Sequence, residues 1–179
     1  AHRDADSWGV HLLDLGARGF QPDMNISDQA SGLKKAFEYV LPNTELRFDH
    51  FHIIKASKDL VRFLKNRKES ATTRAIVFYE RKGKAQKTGK AHHLISEQLT
   101  MAIQTMTAAE KLHERVEILA TWLQYDVLQL PSVCPADREQ LFDFIIDELL
   151  SVAEEPRVQT YGRSLIHQKT DLLAVAHSL

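Results

Sequence analysis

Apolar and polar positions follow two different periods along this chain, and the change falls near residue 50. Trp8, Val10-His11-Leu12-Leu13 and Leu15 have helical spacing, which Gly16 and Gly19 bring to a stop. Gln21-Pro22-Asp23-Met24-Asn25-Ile26-Ser27-Asp28 alternates and predicts a short strand. Ser31 to Leu41 predicts a helix with Leu33, Ala36, Phe37 and Val40 on one side, stopped by Pro42-Asn43. Glu45-Leu46-Arg47-Phe48 alternates again. Two strands joined by a helical crossover must run parallel, so this stretch predicts a βαβ unit. Two parallel strands are too few to stand alone, so the rest of their sheet is expected outside the chain or from segments that do not read as strands.

From Phe51 the period becomes helical throughout. Ile53-Ile54, Leu60-Val61 and Phe63-Leu64 form one stripe, with Lys55, Lys58, Arg62 and Lys65 filling other positions. A second helix is predicted from Ser70 to Arg81, ending at Gly83 and followed by a basic, glycine-punctuated loop from Gly83 to Lys90. Leu99, Ile103, Met106, Ala109, Leu112, Val116, Leu119, Leu123, Val127 and Leu130 are spaced by threes and fours, which predicts one long helix from Ala91 to Leu130. Helices from Asp137 to Val152 and from Gln159 to the end complete the pattern, with Pro131, Pro135 and Pro156 as punctuation. The expected fold class is thus α/β plus all-α: a partial α/β segment over residues 1–50, then a larger helical bundle over 51–179.

Composition changes this picture in one respect, the distribution of charge. Across 179 residues the formal charge is only -1, yet residues 47–90 hold thirteen Lys and Arg against four Asp and Glu. Residues 1–46 hold four against seven, and residues 91–179 six against thirteen. A basic block between acidic flanks points to a polyanionic partner; its alternative is a solvated helix face balanced by the acidic tail. Hydrophobic residues make up 44% and charged residues 26%, the balance of a globular protein, and no apolar run is long enough for a membrane span. The single cysteine, Cys134, excludes an intramolecular disulfide framework and a multi-cysteine zinc site, and suggests a reducing, intracellular setting. The start at Ala1-His2-Arg3, without methionine and directly before a helix, suggests a piece of a longer protein or a processed terminus.

Few residues carry a chemical signal. Gly83 to Lys90 fails as a phosphate-binding loop in glycine spacing, in the missing hydroxyl after Lys90 and in its helical context. His92-His93 are adjacent and point about 100° apart on a helix, while His11, His113, His167 and His177 lack a histidine partner four residues on, so no histidine metal site is expected. Asp28 follows one strand and Asp49 the other, with His52 on the same strand-to-helix turn. The carboxyl edge of a parallel sheet is where ligand sites gather. Helix N-capping is the alternative for both aspartates.

The order of these elements, with Ser27-Asp28, Gly32-Leu33 and Asp49-His50-Phe51-His52-Ile53-Ile54-Lys55, resembles the ribonuclease-H-like catalytic domain of bacterial insertion-sequence DDE transposases. The likeness covers about residues 4–56, and the helical remainder resembles the insertion that many such enzymes carry. The resemblance implies a fragment of a DNA transposase that cleaves and joins strands by two-metal phosphodiester chemistry with Mg²⁺. Asp28 would be the second acidic residue of the metal-binding triad, with Asp49 and His52 as the accessory motif beside it. The first acidic residue would lie upstream. The third would lie beyond Leu179, or among Glu148, Glu154 and Glu155, so this chain alone would hold no complete active site. DNA would be the partner, met by Lys55, Lys58, Arg62, Lys65, Lys84, Lys87 and Lys90, in a cytoplasmic, nucleoid-associated protein. The competing reading is a non-catalytic helical module that binds nucleic acid or forms a homodimer through the long helix.

Overall fold

The computed structural model describes residues 4–27, 30–89, 93–130 and 134–177. Helix α1 spans Ala5–Ala17; the Asp4 carboxylate caps it by accepting from the Ser7 amide at 2.8 Å. It ends where the glycines predict, and Gly19, at φ +90°, makes the turn that an L side chain would resist. Strand β1 (Met24–Ser27), helix α2 (Ser31–Val40) and strand β2 (Glu45–Phe48) form the expected unit. The strands are parallel, with Met24 opposite Glu45 and Ser27 opposite Phe48. Leu12 of α1 packs on Ala36 and Phe37 of α2, with Trp8, Leu15, Leu33, Val40, Leu41 and Leu46 around them. Among the described residues the sheet has these two strands and gains no third.

Everything after β2 is helical. Helix α3 runs unbroken from Phe51 to Lys87, α4 from His93 to Trp122, α5 from Pro135 to Leu150 and α6 from Pro156 to His177. Their shared core is built from Ile53, Leu60 and Leu64 of α3, Val116 and Leu119 of α4, Phe142, Ile145 and Leu149 of α5, and Val158, Leu165 and Leu172 of α6. Helices α3 and α4 lie side by side as a hairpin. Beyond Leu64 on one and before Leu112 on the other they leave that core, and the buried residues there are three alanines, Ala75, Ala85 and Ala102, with Leu99. Among the described residues no helix is long and apolar enough to cross a membrane.

Three expectations need correction. The break between Arg67 and Ser70 is absent, because the hydroxyls of Ser70, Thr72 and Thr73 bond back to the carbonyls of Asn66, Lys68 and Glu69 at 2.9 Å each and sit within the helix. Gly83 does not end a helix and no basic loop follows it directly. The helix passes through to Lys87, and its stop is the later glycine, Gly89, at φ +65°. The Thr88 hydroxyl covers the Lys84 and Ala85 carbonyls at 3.1 and 3.2 Å, and Lys84 and Lys87 complement the negative end of the helix dipole. The long helix expected up to Leu130 is α-helical only to Trp122; Leu123–Gln129 widens into a π-helical segment.

Candidate nucleic-acid interface

Helix α3 holds eleven Lys and Arg against three Asp and Glu. At 100° per residue, Lys55, Lys58, Arg62, Lys65, Lys84 and Lys87 fall within an arc of about 100°, opposite the arc that holds Ile53, Ser57, Leu60, Leu64 and Ala75. All six cations are exposed, and all five residues of the opposite arc are buried. Arg62 is held by Asp59 at 2.6 Å, and the five lysines make no ion pair among the described residues. Other cations of α3 are engaged: Arg67 pairs with Glu155, while Arg74 and Arg81 lie 5.9 and 5.8 Å from the Phe78 ring centre. The six predicted contact residues thus share one solvated face. Lys90, the seventh, lies outside the described residues.

The strand end forms a second candidate site. The Asp49 amide donates to the Ser27 carbonyl at 2.9 Å, which carries the ladder to the last residue of β1. The Asp49 carboxylate accepts from the Phe51 amide, the first of α3, at 2.8 Å, while His50 takes the N-cap position. A cleft of about 390 Å³ joins Asp49 and His52 to Ala30, Ile53, Ala56, and to Ser164 and Gln168 of α6. Sequence reasoning missed α6 at this edge, because polar positions on a C-terminal amphipathic helix carry no chemical signature. Asp28, given the catalytic and metal-binding role, lies outside the described residues.

His50, between Asp49 and the helix, ties the strand end to the bundle. Its Nε2 lies 3.0 Å from the Leu172 carbonyl of α6. Burial holds its pKa below the ordinary value, outweighing that hydrogen bond and the Asp49 charge, which both favour the proton; the Arg138 charge lowers it further. Arg138 itself is 2% exposed and has no carboxylate partner among the described residues. Its guanidinium donates to the Val127 carbonyl and, at 2.6 Å, to the Leu130 carbonyl, closing the end of the π-helical segment, while Nε has no partner among the described residues.

Glu148, Glu154 and Glu155 do not reach Asp49. Glu148 accepts from Arg115 at 2.5 and 2.9 Å. Glu155, 4% exposed, pairs with Arg67 and accepts from the Arg157 amide at 3.2 Å. Arg67, Arg115 and Glu154 line a different cleft of about 360 Å³, shared with Leu64, Leu112 and Val152. Ala56 and Arg67 are eleven residues apart on α3, so the two clefts are about 17 Å apart along it. Among the described residues no three His, Cys, Asp or Glu side chains converge on one point, so these residues by themselves do not fit a Mg²⁺ pair.

The stripe of α4, read from sequence as a possible dimer seam, is used largely within the chain: Leu99, Val116 and Leu119 are buried, and Ile103 is exposed. The chain matches no known family, no curated protein and no solved structure.

Proposed function

We propose that this chain is the DNA-engaging part of a DDE-type transposase, with α3 as its contact to the phosphate backbone. The observation that carries the reading is the solvated face of α3, where six cations lie opposite the buried face and five of them make no ion pair among the described residues. Such a face neutralises phosphates without reading bases. What supports the finer assignment is the parallel β1–α2–β2 unit with Asp49 at its carboxyl edge. Strand cleavage belongs to the complete enzyme in this reading, and its Mg²⁺ is assigned to Asp28 with carboxylates that the described residues do not supply.

A helical module that binds nucleic acid and catalyses nothing is favoured by one observation, the lack of a carboxylate trio among the described residues. The two readings separate at Asp28. In the complete protein Asp28→Asn abolishes Mg²⁺-dependent cleavage and leaves the fold intact, since Asn caps a helix about as well as Asp but brings no charge to a cation. Undiminished cleavage would make Asp28 a cap and leave only the binding role. Binding is tested on the 179-residue chain by replacing Lys55, Lys58 and Lys65 with Gln. Loss of duplex affinity with unchanged helicity supports the interface, and unchanged affinity refutes it.

A further inference from the structure

The cations on the solvated face of α3 are not spread evenly. Lys55, Lys58, Arg62 and Lys65 occupy the first part of the helix, and Lys84 and Lys87 the last turn. Between them the same arc carries Glu69, Thr73, Ile76 and Glu80, two of them acidic and none basic. The helix continues without a break between the two groups, so their separation is fixed by its rise. At 1.5 Å per residue, the centre of the first group near residue 60 and that of the second between 84 and 87 are about 38 Å apart. One turn of B-form duplex is about 34–36 Å, and a lysine side chain is long enough to take up the difference.

We propose that α3 lies along double-stranded DNA as a two-point clamp, its two basic groups meeting phosphates one helical turn apart on the same side of the duplex. Between those points the complementary strand's backbone crosses the same face once, and the arc with Glu69 and Glu80 offers it no cation, so the clamp bridges that crossing without contacting it. The clamp rests on the reading of α3 as a DNA contact and adds to it a ligand class, a minimum length and a division of labour. A single strand, which has no fixed turn, gives the two groups no matched pair of sites. The tip of the α3–α4 hairpin becomes the second foot, outside the large core, and Lys84 and Lys87, which complement the helix dipole, serve the duplex as well.

The test is a fluorescence anisotropy series on the complete 179-residue chain, at fixed salt, with blunt DNA duplexes of 8, 12, 16 and 24 base pairs and single strands of the same lengths. Affinity corrected for the number of overlapping sites is expected to step upward between 8 and 16 base pairs. Two additional phosphate contacts at 0.1 M salt correspond to a step of about tenfold to sixtyfold. Lys84→Gln/Lys87→Gln is expected to remove the step, and the single strands are expected to show no step. Duplex binding that grows smoothly with length, or an equal step for single strands, overturns the clamp while leaving α3 as a DNA contact. Absence of binding to every probe overturns the clamp together with the reading beneath it. Because the length series uses the unaltered chain, the step is decided even where the double variant does not fold.

Discussion

Replacing Arg138 with methionine removes a side chain that closes the end of the π-helical segment. The guanidinium donates to the Val127 and Leu130 carbonyls, and Val127 is completely buried, so water has no access there to replace the lost donor. Leaving the buried Val127 carbonyl unpaired costs about 1–3 kcal/mol, whereas Leu130 is exposed and water can replace the donor at its carbonyl. Part of this is offset because a buried cation with an unpartnered Nε leaves the core and methionine fills much of its volume. The net expectation is a loss of about 1–2 kcal/mol, or about 2–8 °C in Tm for a chain of this size. Urea unfolding followed by far-ultraviolet circular dichroism measures it. Arg138→Lys should recover less than half, because an ammonium cannot span both carbonyls as the planar fork does. A loss below about 0.5 kcal/mol for Arg138→Met would show that the carbonyls are satisfied without the guanidinium, and would refute its role as an anchor.

Other expectations follow from the same contacts. The folded-state pKa of His50 lies below its ordinary 6.5, so as pH falls below that value the unfolded chain takes up the proton first. Stability is therefore full above 6.5 and decreases as pH falls toward the folded pKa; His50→Gln should flatten that part of a urea-midpoint profile, and an unchanged profile would assign the dependence to another group. Arg138→Met removes a nearby positive charge and should narrow the same window from its acid side. Gly162→Ala would place a methyl 3.2 Å from Leu149 Cβ, which cannot swing away, so we expect a loss of about 1 kcal/mol despite alanine's better helix propensity, measured by thermal melting. A stabilised Gly162→Ala chain would mean that α5 and α6 separate freely. Arg67→Gln strips the buried Glu155 carboxylate of its cation and should cost about 1–2 kcal/mol in urea unfolding, discounted because Arg67 is half exposed. An unchanged urea midpoint for Arg67→Gln would show that the pair contributes nothing.

Elements with a strong single period were legible in the sequence. The strand pair around α2 follows from two alternating runs and a helical crossover, and the buried Leu99, Val116 and Leu119 of α4 from spacing by threes and fours, although Ile103 of the same stripe is exposed. Punctuation misled where a tertiary or local contact overrode it. Gly83 reads as a stop, but Gly89 in the left-handed region and the Thr88 hydroxyl make the real one six residues later. That error also hid the common face of the basic groups, because a loop at Gly83 breaks the helical phase that aligns Lys84 with Lys55. Arg138 was invisible for a different reason: an arginine in the first turn of an amphipathic helix reads as solvated, and its acceptors are carbonyls on another segment. The approach of Ser164 and Gln168 to Asp49 is likewise a product of tertiary packing, which no spacing rule encodes.

A lysine-acylation footprint with and without a 24-base-pair duplex reads residue by residue which lysines meet DNA. The prediction is protection of Lys55, Lys58, Lys65, Lys84 and Lys87, while the exposed Lys35 on α2 and Lys111 on α4 keep their reactivity. Protection centred on Lys35 or Lys111, or none on α3, would contradict it.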